Sequence, residues 1–164
     1  MGKVVFMKND LNIDNMIEEG CLITAGNIND YNTMTIGWGM KGIIWRRKTF
    51  IAYVKPCRYT YEFMEKNDYF TISFYEKDYK KQMAILGTLS GRDCNKVEQS
   101  GLTPIEVDNC VTFKEAYYTL ICKKYYYHDI EYNKTPDDAK ERYYQDKNCM
   151  HRVYYGEIIK EIKN

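Results

Sequence analysis

From Thr33 to Trp38 polar and apolar side chains alternate, with Met34, Ile36 and Trp38 on one face and Thr33, Thr35 and Gly37 on the other. A period of two is the mark of a half-buried strand. Cys21 to Ala25 is a short apolar run that reads as a buried strand, closed by Gly26 and a polar loop from Asn27 to Asn32. Ile43 to Trp45 is another apolar run, and Thr49 to Lys55 is β-branched and aromatic until Pro56 ends it, because proline gives no amide to a ladder. Between Thr60 and Lys66 the period changes to that of a helix, with Tyr59, Phe63 and Met64 at helical spacing and a turn at Asn67-Asp68.

Strand character returns from Tyr69 to Tyr75. Tyr79 to Leu86 reads as a short helix stopped by Gly87, and Cys94 to Ser100 as a second one, capped by Asp93 and stopped by Gly101. Val111 to Phe113 and Ala116 to Tyr127 are strand-rich, and Val153 to Ile162 is a final strand. Thr135-Pro136-Asp137-Asp138 carries a cap, a proline at the first helical position and acids in the first turn, so a helix is expected from Ala139 to Asp146. Strands outnumber helices, and no regular strand–helix–strand repeat is present, which argues against a doubly wound parallel sheet. The pattern predicts a mainly β, antiparallel barrel with short helical insertions. No linker or internal repeat divides residues 1–164, so one domain is expected.

Composition narrows the function. Lys plus Arg is 24 and Asp plus Glu 23, a balance that gives no reason to expect nucleic-acid binding. Seventeen tyrosines suit half-buried strands, where the ring packs and the hydroxyl reaches water. Met1 to Asp10 holds no long apolar core of a leader, and no run approaches the ~20 apolar residues of a membrane span, so no membrane partner is expected. The six cysteines form no C-x-x-C pair, and the expectation is six reduced thiols in a cytoplasmic protein without a metal. Two histidines cannot make a histidine-rich metal site, and they supply hydrolytic triads poorly.

Three polar segments at strand ends remain. Lys55-Pro-Cys-Arg-Tyr-Thr60 joins a strand to a helix, where free amides favour an anion and Arg58 and Thr60 stand beside them. Alone, it also fits a helix start with a surface arginine. Ser90-Gly-Arg-Asp-Cys-Asn-Lys96 is a second basic loop, or an ordinary solvated turn. Asn32 to Trp38 sets amide and hydroxyl groups beside an indole, as a flat heteroaromatic ligand requires, or as a barrel strand with a core tryptophan would show.

Together and in order, these segments resemble the flavin reductase-like, FMN-binding split-barrel family. The resemblance is carried by Leu22-Ile-Thr-Ala-Gly26, Asn32-Thr-Met-Thr-Ile-Gly-Trp38 and Lys55-Pro-Cys-Arg-Tyr-Thr60, then by Asn67 to Phe74 and Ile85-Leu-Gly-Thr88. Ser90-Gly-Arg-Asp93 with Lys96, Gly101-Leu-Thr-Pro104 and the ending His151 to Ile158 complete it. It implies a Greek-key split barrel that forms a homodimer and holds FMN non-covalently. Carried onto this chain, Asn32, Thr33, Met34 and Thr35 meet the isoalloxazine edge, and Trp38 walls the site. Lys55, Cys57, Arg58, Tyr59 and Thr60 form the phosphate cradle. Ser90, Arg92, Asp93 and Lys96 serve the phosphate or ribityl end, and His128 with Tyr154 and Tyr155 closes the pocket.

Cys57 departs from the small hydroxyl residue common at that place, and a thiol is the poorer donor. Many reductases of the wider family carry a Gly-Asp-His stretch linked to NAD(P)H use, where this chain offers only His128-Asp129. Four readings therefore stay open: an NAD(P)H-dependent reductase of free flavin or another acceptor, a flavoredoxin-type carrier serving a redox protein partner, a non-catalytic FMN-binding module, or a split barrel that has lost FMN.

Overall fold

The computed structural model describes residues 12–164, so the reading of the first ten residues lies outside it. A helix the sequence pattern did not announce, α1 (Ile13–Glu18), comes first among the described residues, with the Asn12 side chain accepting from the Asn15 amide as its cap. Strands β1 (Cys21–Asn27) and β2 (Asp30–Ile36) form a tight hairpin. The expected loop from Asn27 to Asn32 shrinks to two residues, because the Asn27 carboxamide accepts from the amides of Asn29 and Asp30 and turns the chain at once.

A second hairpin follows, β3 (Gly39–Ile44) and β4 (Arg47–Val54). The order then runs α2 (Tyr59–Lys66), β5 (Tyr69–Phe74), α3 (Lys80–Thr88), α4 (Lys96–Ser100), β6 (Pro104–Val107), β7 (Cys110–Phe113), β8 (Tyr118–Asp129), α5 (Asp137–Tyr143) and β9 (Arg152–Lys163). Gly87 lies inside α3 rather than stopping it, and Asn95, not Asp93, caps α4 by accepting from the Glu98 amide. α5 ends at Tyr143, three residues before the expected Asp146.

Seven strands make one antiparallel sheet in the order β2-β1-β5-β8-β9-β4-β3, and β6 and β7 pair separately. The sheet ends on β2 and β3, which are consecutive in sequence yet unpaired. It is an open, split form of the expected barrel. The core shows that the sheet curls: Cys21, Ile23 and Ala25 of β1 share one buried cluster with Phe50, Ala52 and Val54 of β4, which lies far across the sheet. Gly156 permits part of this closeness, since a Cβ there would overlap the Phe70 ring. A second cluster around Leu22, Leu86, Leu102 and Phe113 seats α3, α4 and the small sheet on the other face, whereas α1 and α2 pack into the first through Ile17, Phe63 and Met64.

Of the two places open to Trp38, the core is excluded: it stands at the split just beyond β2 and is 37% exposed. The apolar run from Ile43 to Trp45 forms the tip of the β3–β4 hairpin, with Ile43 and Trp45 exposed. Among the described residues no helix is long and apolar enough to cross a membrane.

Candidate functional site

The split between β2 and β3 opens beside a cavity of about 260 Å³. One wall is the start of α2. Pro56 ends strand β4, and Arg58 then sits in extended backbone as the N-cap without using its side chain to cap the helix. The first amides of α2 therefore receive no side-chain acceptor, and Lys55, Arg58 and Thr60 line the same space. Asn32, buried in β2, donates from Nδ2 to Thr60 Oγ1 at 2.7 Å and locks the helix start to the sheet.

The Ser90–Lys96 loop forms the adjoining wall. Gly91 packs against the Asn32 carboxamide so tightly that a Cβ would overlap Oδ1. Lys96 is almost fully buried and donates to the carbonyls of Leu86 (2.9 Å) and Leu89 (3.0 Å). Burial, and then the Arg58 cation, push its ammonium down to about 8. Among the described residues no carboxylate lines the cavity, so Lys55, Arg58 and Lys96 give it a positive field.

The opposite wall is aromatic. The Trp38 ring meets Tyr143 at 4.8 Å and His151 at 4.7 Å between centroids. Tyr144 Oη bonds His151 Nδ1 at 2.8 Å. Burial, followed by the Lys55 and Arg58 cations, pushes His151 down to about 4, so it is neutral near pH 7. Lys55 Nζ donates to the Tyr143 carbonyl at 2.7 Å and ties this wall to the basic one; burial first and Arg58 second lower its own pKa.

Of the residues the sequence nominated, Asn32, Met34, Thr35, Trp38, Lys55, Cys57, Arg58, Tyr59, Thr60, Ser90 and Lys96 line the cavity. Six stand elsewhere, and two of these are Tyr154, whose hydroxyl donates to Glu65, and Tyr155, neither of which reaches the cavity. Thr33 is fully buried, donating to the Ile23 carbonyl and pairing with Thr24. Arg92 turns back to pair with Glu62 and lies over the Tyr59 ring at 4.8 Å, and Asp93 does not reach the cavity. His128 is exposed and borders a different hollow, behind Trp38 and Tyr143. Thr35 presents its hydroxyl to the Met83 carbonyl at 2.7 Å, which leaves it a structural rather than a ligand-facing donor.

Sequence reasoning missed Tyr53 and the direct place of His151 on the wall. The ending that begins at His151 belonged to the resemblance, yet only the fold shows that the chain returns there to Trp38.

The cysteines bring a larger correction. Cys57 is not a free thiol in the cradle; it is joined to Cys149 in a disulfide across 92 residues of sequence, with the Cα atoms 6.2 Å apart. Spacing gave no hint, because the partners meet only once α5 folds back over the start of α2. Cys21, Cys94, Cys110 and Cys122 stay free.

An open antiparallel barrel whose split bears a basic pocket on one side and an aromatic wall on the other defines a class of ligand-binding split barrels. The family model for the flavin reductase like domain matches residues 15–160, and the chain belongs to that family. No curated protein matches it. Among solved structures, a flavoredoxin from Methanosarcina acetivorans shares 17% identity over 100% of this chain and 76% of its own, with a TM-score of 0.69. The flavoredoxin of Desulfovibrio vulgaris (Miyazaki F) shares 19% over 88% and 69%, with a TM-score of 0.68. An FMN-binding protein from Thermus thermophilus, solved with bound p-hydroxybenzaldehyde, shares 16% over 88% and 71%, also at 0.68.

Proposed function

We propose that the protein binds FMN non-covalently in this cavity and works as a flavin-dependent oxidoreductase. The observation that carries the reading is the pairing of opposite walls: an uncapped helix start with Arg58, Lys55 and Lys96, and no carboxylate among the described residues, faces an indole backed by a neutral imidazole. The first wall suits a terminal phosphate. The second suits a flat heteroaromatic ring. The family and its FMN-binding structural relatives support the same cofactor.

FMN, once bound, supplies hydride and single-electron chemistry. The chain's residues bind and tune. Arg58, Thr60 and the α2 amides hold the phosphate, Asn32 keeps that helix start in register, and Trp38 shields a ring face from water. Neutral His151 exchanges hydrogen bonds without adding a charge, while Lys55 and Lys96 keep the field positive, which favours an anionic reduced cofactor. The electron donor is NADH, NADPH or a redox protein.

The test is a visible spectrum of purified protein loaded with FMN. Flavin bands that bleach quickly with one nucleotide identify a reductase. Bands that bleach only through a reduced carrier protein identify an electron carrier, and bands that yield only to dithionite identify a non-catalytic module. Protein that takes up no FMN refutes the reading.

The working unit in this proposal is a homodimer. Trp45 and Arg46 form a two-residue hairpin turn with positive φ (49° and 61°), costly backbone for bulky side chains. That turn holds Trp45 on the surface at 66% exposure, beside Ile43 and against the rings of Tyr125 and Tyr126. An exposed aromatic patch of this kind marks an interface. Light scattering should report a dimer for the native chain and a monomer for Trp45→Lys; a native monomer sinks the proposal.

A further inference from the structure

Cys57 and Cys149 belong to the two margins of the cavity. Cys57 lines it next to Arg58 at the start of α2. Cys149 ends a strap made of α5 and the loop that returns to His151. α5 contains no buried residue, so hydrophobic packing does not hold the helix itself down. Beyond it the strap buries Tyr144 and Met150, and it is tied to the cavity by the Lys55–Tyr143 carbonyl bond, the Trp38–Tyr143 contact, the Tyr144–His151 bond and the disulfide. Each of these ties ends on a residue of the cavity wall.

The pair is also within reach of a reductant: Cys57 is exposed and Cys149 half-buried. It surfaces in an open cleft lined by Lys55, Arg142 and Asp146. Cys21, Cys110 and Cys122 are buried, and burial pushes their thiols up, which makes them poor nucleophiles. Lys55 and Arg58 flank Cys57, and neighbouring cations stabilise a departing thiolate.

We infer that Cys57–Cys149 is a redox latch on the flavin cavity: closed as a disulfide it holds cradle and strap in the binding arrangement, and its reduction by a dithiol releases the strap and weakens FMN binding. The inference rests on the flavin reading above. In the exchange, a thiolate of the reductant attacks one sulfur and the Cys57–Cys149 bond breaks. The resulting mixed disulfide is resolved by the reductant's second thiol, which closes to a cyclic disulfide. Two electrons and two protons end on Cys57 and Cys149 as thiols.

The experiment uses the full flavin-free chain, purified without reductant, and repeats each measurement after dithiothreitol in the dark. FMN affinity is read from quenching of flavin fluorescence, and hydrogen exchange is followed across residues 137–150. Denatured thiol counts should rise from the four free cysteines to all six. FMN affinity should fall about tenfold, the size expected when ordering a few side chains moves into the binding step. Exchange should quicken in the strap and not in the sheet, and reoxidation should restore both. Cys149→Ser should bind like the reduced protein and ignore dithiothreitol. Equal affinities with the pair demonstrably reduced, unchanged strap exchange, or six thiols before reduction would each overturn the latch. FMN binding in neither state would instead overturn the flavin reading, and strap exchange would then judge the latch alone. The comparison of oxidised with reduced native chain needs no variant, so it tests the latch even if Cys149→Ser misfolds.

Discussion

The two walls of the cavity are built in different ways. The basic wall is embedded in the fold: Asn32 ties β2 to α2, Gly91 is pressed onto Asn32, and Lys96 is buried with two carbonyl partners. The aromatic wall is assembled at the edge, where Trp38 has left its strand and a helix without buried residues leans against it through a few polar ties and one covalent bond. A rigid anion site beside a loosely mounted ring site is what a binding protein needs if the phosphate is to anchor the ligand while the reactive end stays reachable. Substitutions on the first wall should therefore remove binding outright, and changes on the second should adjust it.

The largest effect is expected from Arg58→Ala combined with Lys96→Ala. Charge-assisted hydrogen bonds contribute about 1.5–3 kcal/mol each, so FMN affinity should fall by roughly 3–6 kcal/mol, read by fluorescence titration. Lys96 also ties down α3, so Arg58→Ala alone, whose side chain caps nothing, is the cleaner half of the test. Unchanged affinity in the double variant would put the phosphate somewhere else.

Next is Gly91→Ala. The added methyl would overlap Asn32 Oδ1 and strain the bond that Asn32 gives to Thr60. Overpacking of this kind costs about 1–3 kcal/mol, which denaturant unfolding should show together with weaker FMN binding. A variant as stable as the native chain would mean that this wall is softer than its contacts imply.

The same contrast explains what could be read in advance. The basic wall lies in contiguous segments: Lys55 to Thr60 is one strand-to-helix joint, and the proline, arginine and threonine that shape it are neighbours in sequence. The strands were legible for the same reason, since alternation is local. The aromatic wall joins Trp38 to Tyr143 and His151, and the disulfide joins Cys57 to Cys149; no local pattern encodes either meeting. His128 was nominated through the family resemblance alone, whereas the wall takes the other histidine, brought back just before β9. Thr33 shows the reverse error: a hydroxyl in the right segment is fully buried and spent on Thr24 and the Ile23 carbonyl.

A smaller effect belongs to His151 and concerns pH. Its folded pKa, about 4, lies below the ~6.5 of an exposed imidazole, with Lys55 and Arg58 as the charges that face it and Tyr144 as its bonded partner. The unfolded chain therefore binds a proton between these values that the folded chain refuses. Stability from this group is complete above about pH 6.5, is lost as the pH falls towards 4, and changes little below that. Allowing for partial solvent access, the loss is about 2 kcal/mol. Urea unfolding at several pH values should show a shallower acid slope in His151→Gln than in the native chain; parallel slopes would mean that the imidazole titrates normally in the fold.

The smallest effect sharpens the border of the basic wall. Arg92 sits in the loop that supplies Lys96, and by sequence alone the two looked equivalent. In the fold they part: Lys96 is buried on the cavity wall, whereas Arg92 crosses over Tyr59 to an exposed pairing with Glu62. Exposed ion pairs contribute about 0–1 kcal/mol, and solvent screens a charge that does not face the ligand. Arg92→Ala should thus leave FMN affinity within about twofold, which corresponds to roughly 0.4 kcal/mol, and lower stability only slightly. A loss as large as that of Arg58→Ala would show that Arg92 swings into the cavity when the ligand arrives, and the basic wall would then be as adjustable as the aromatic one.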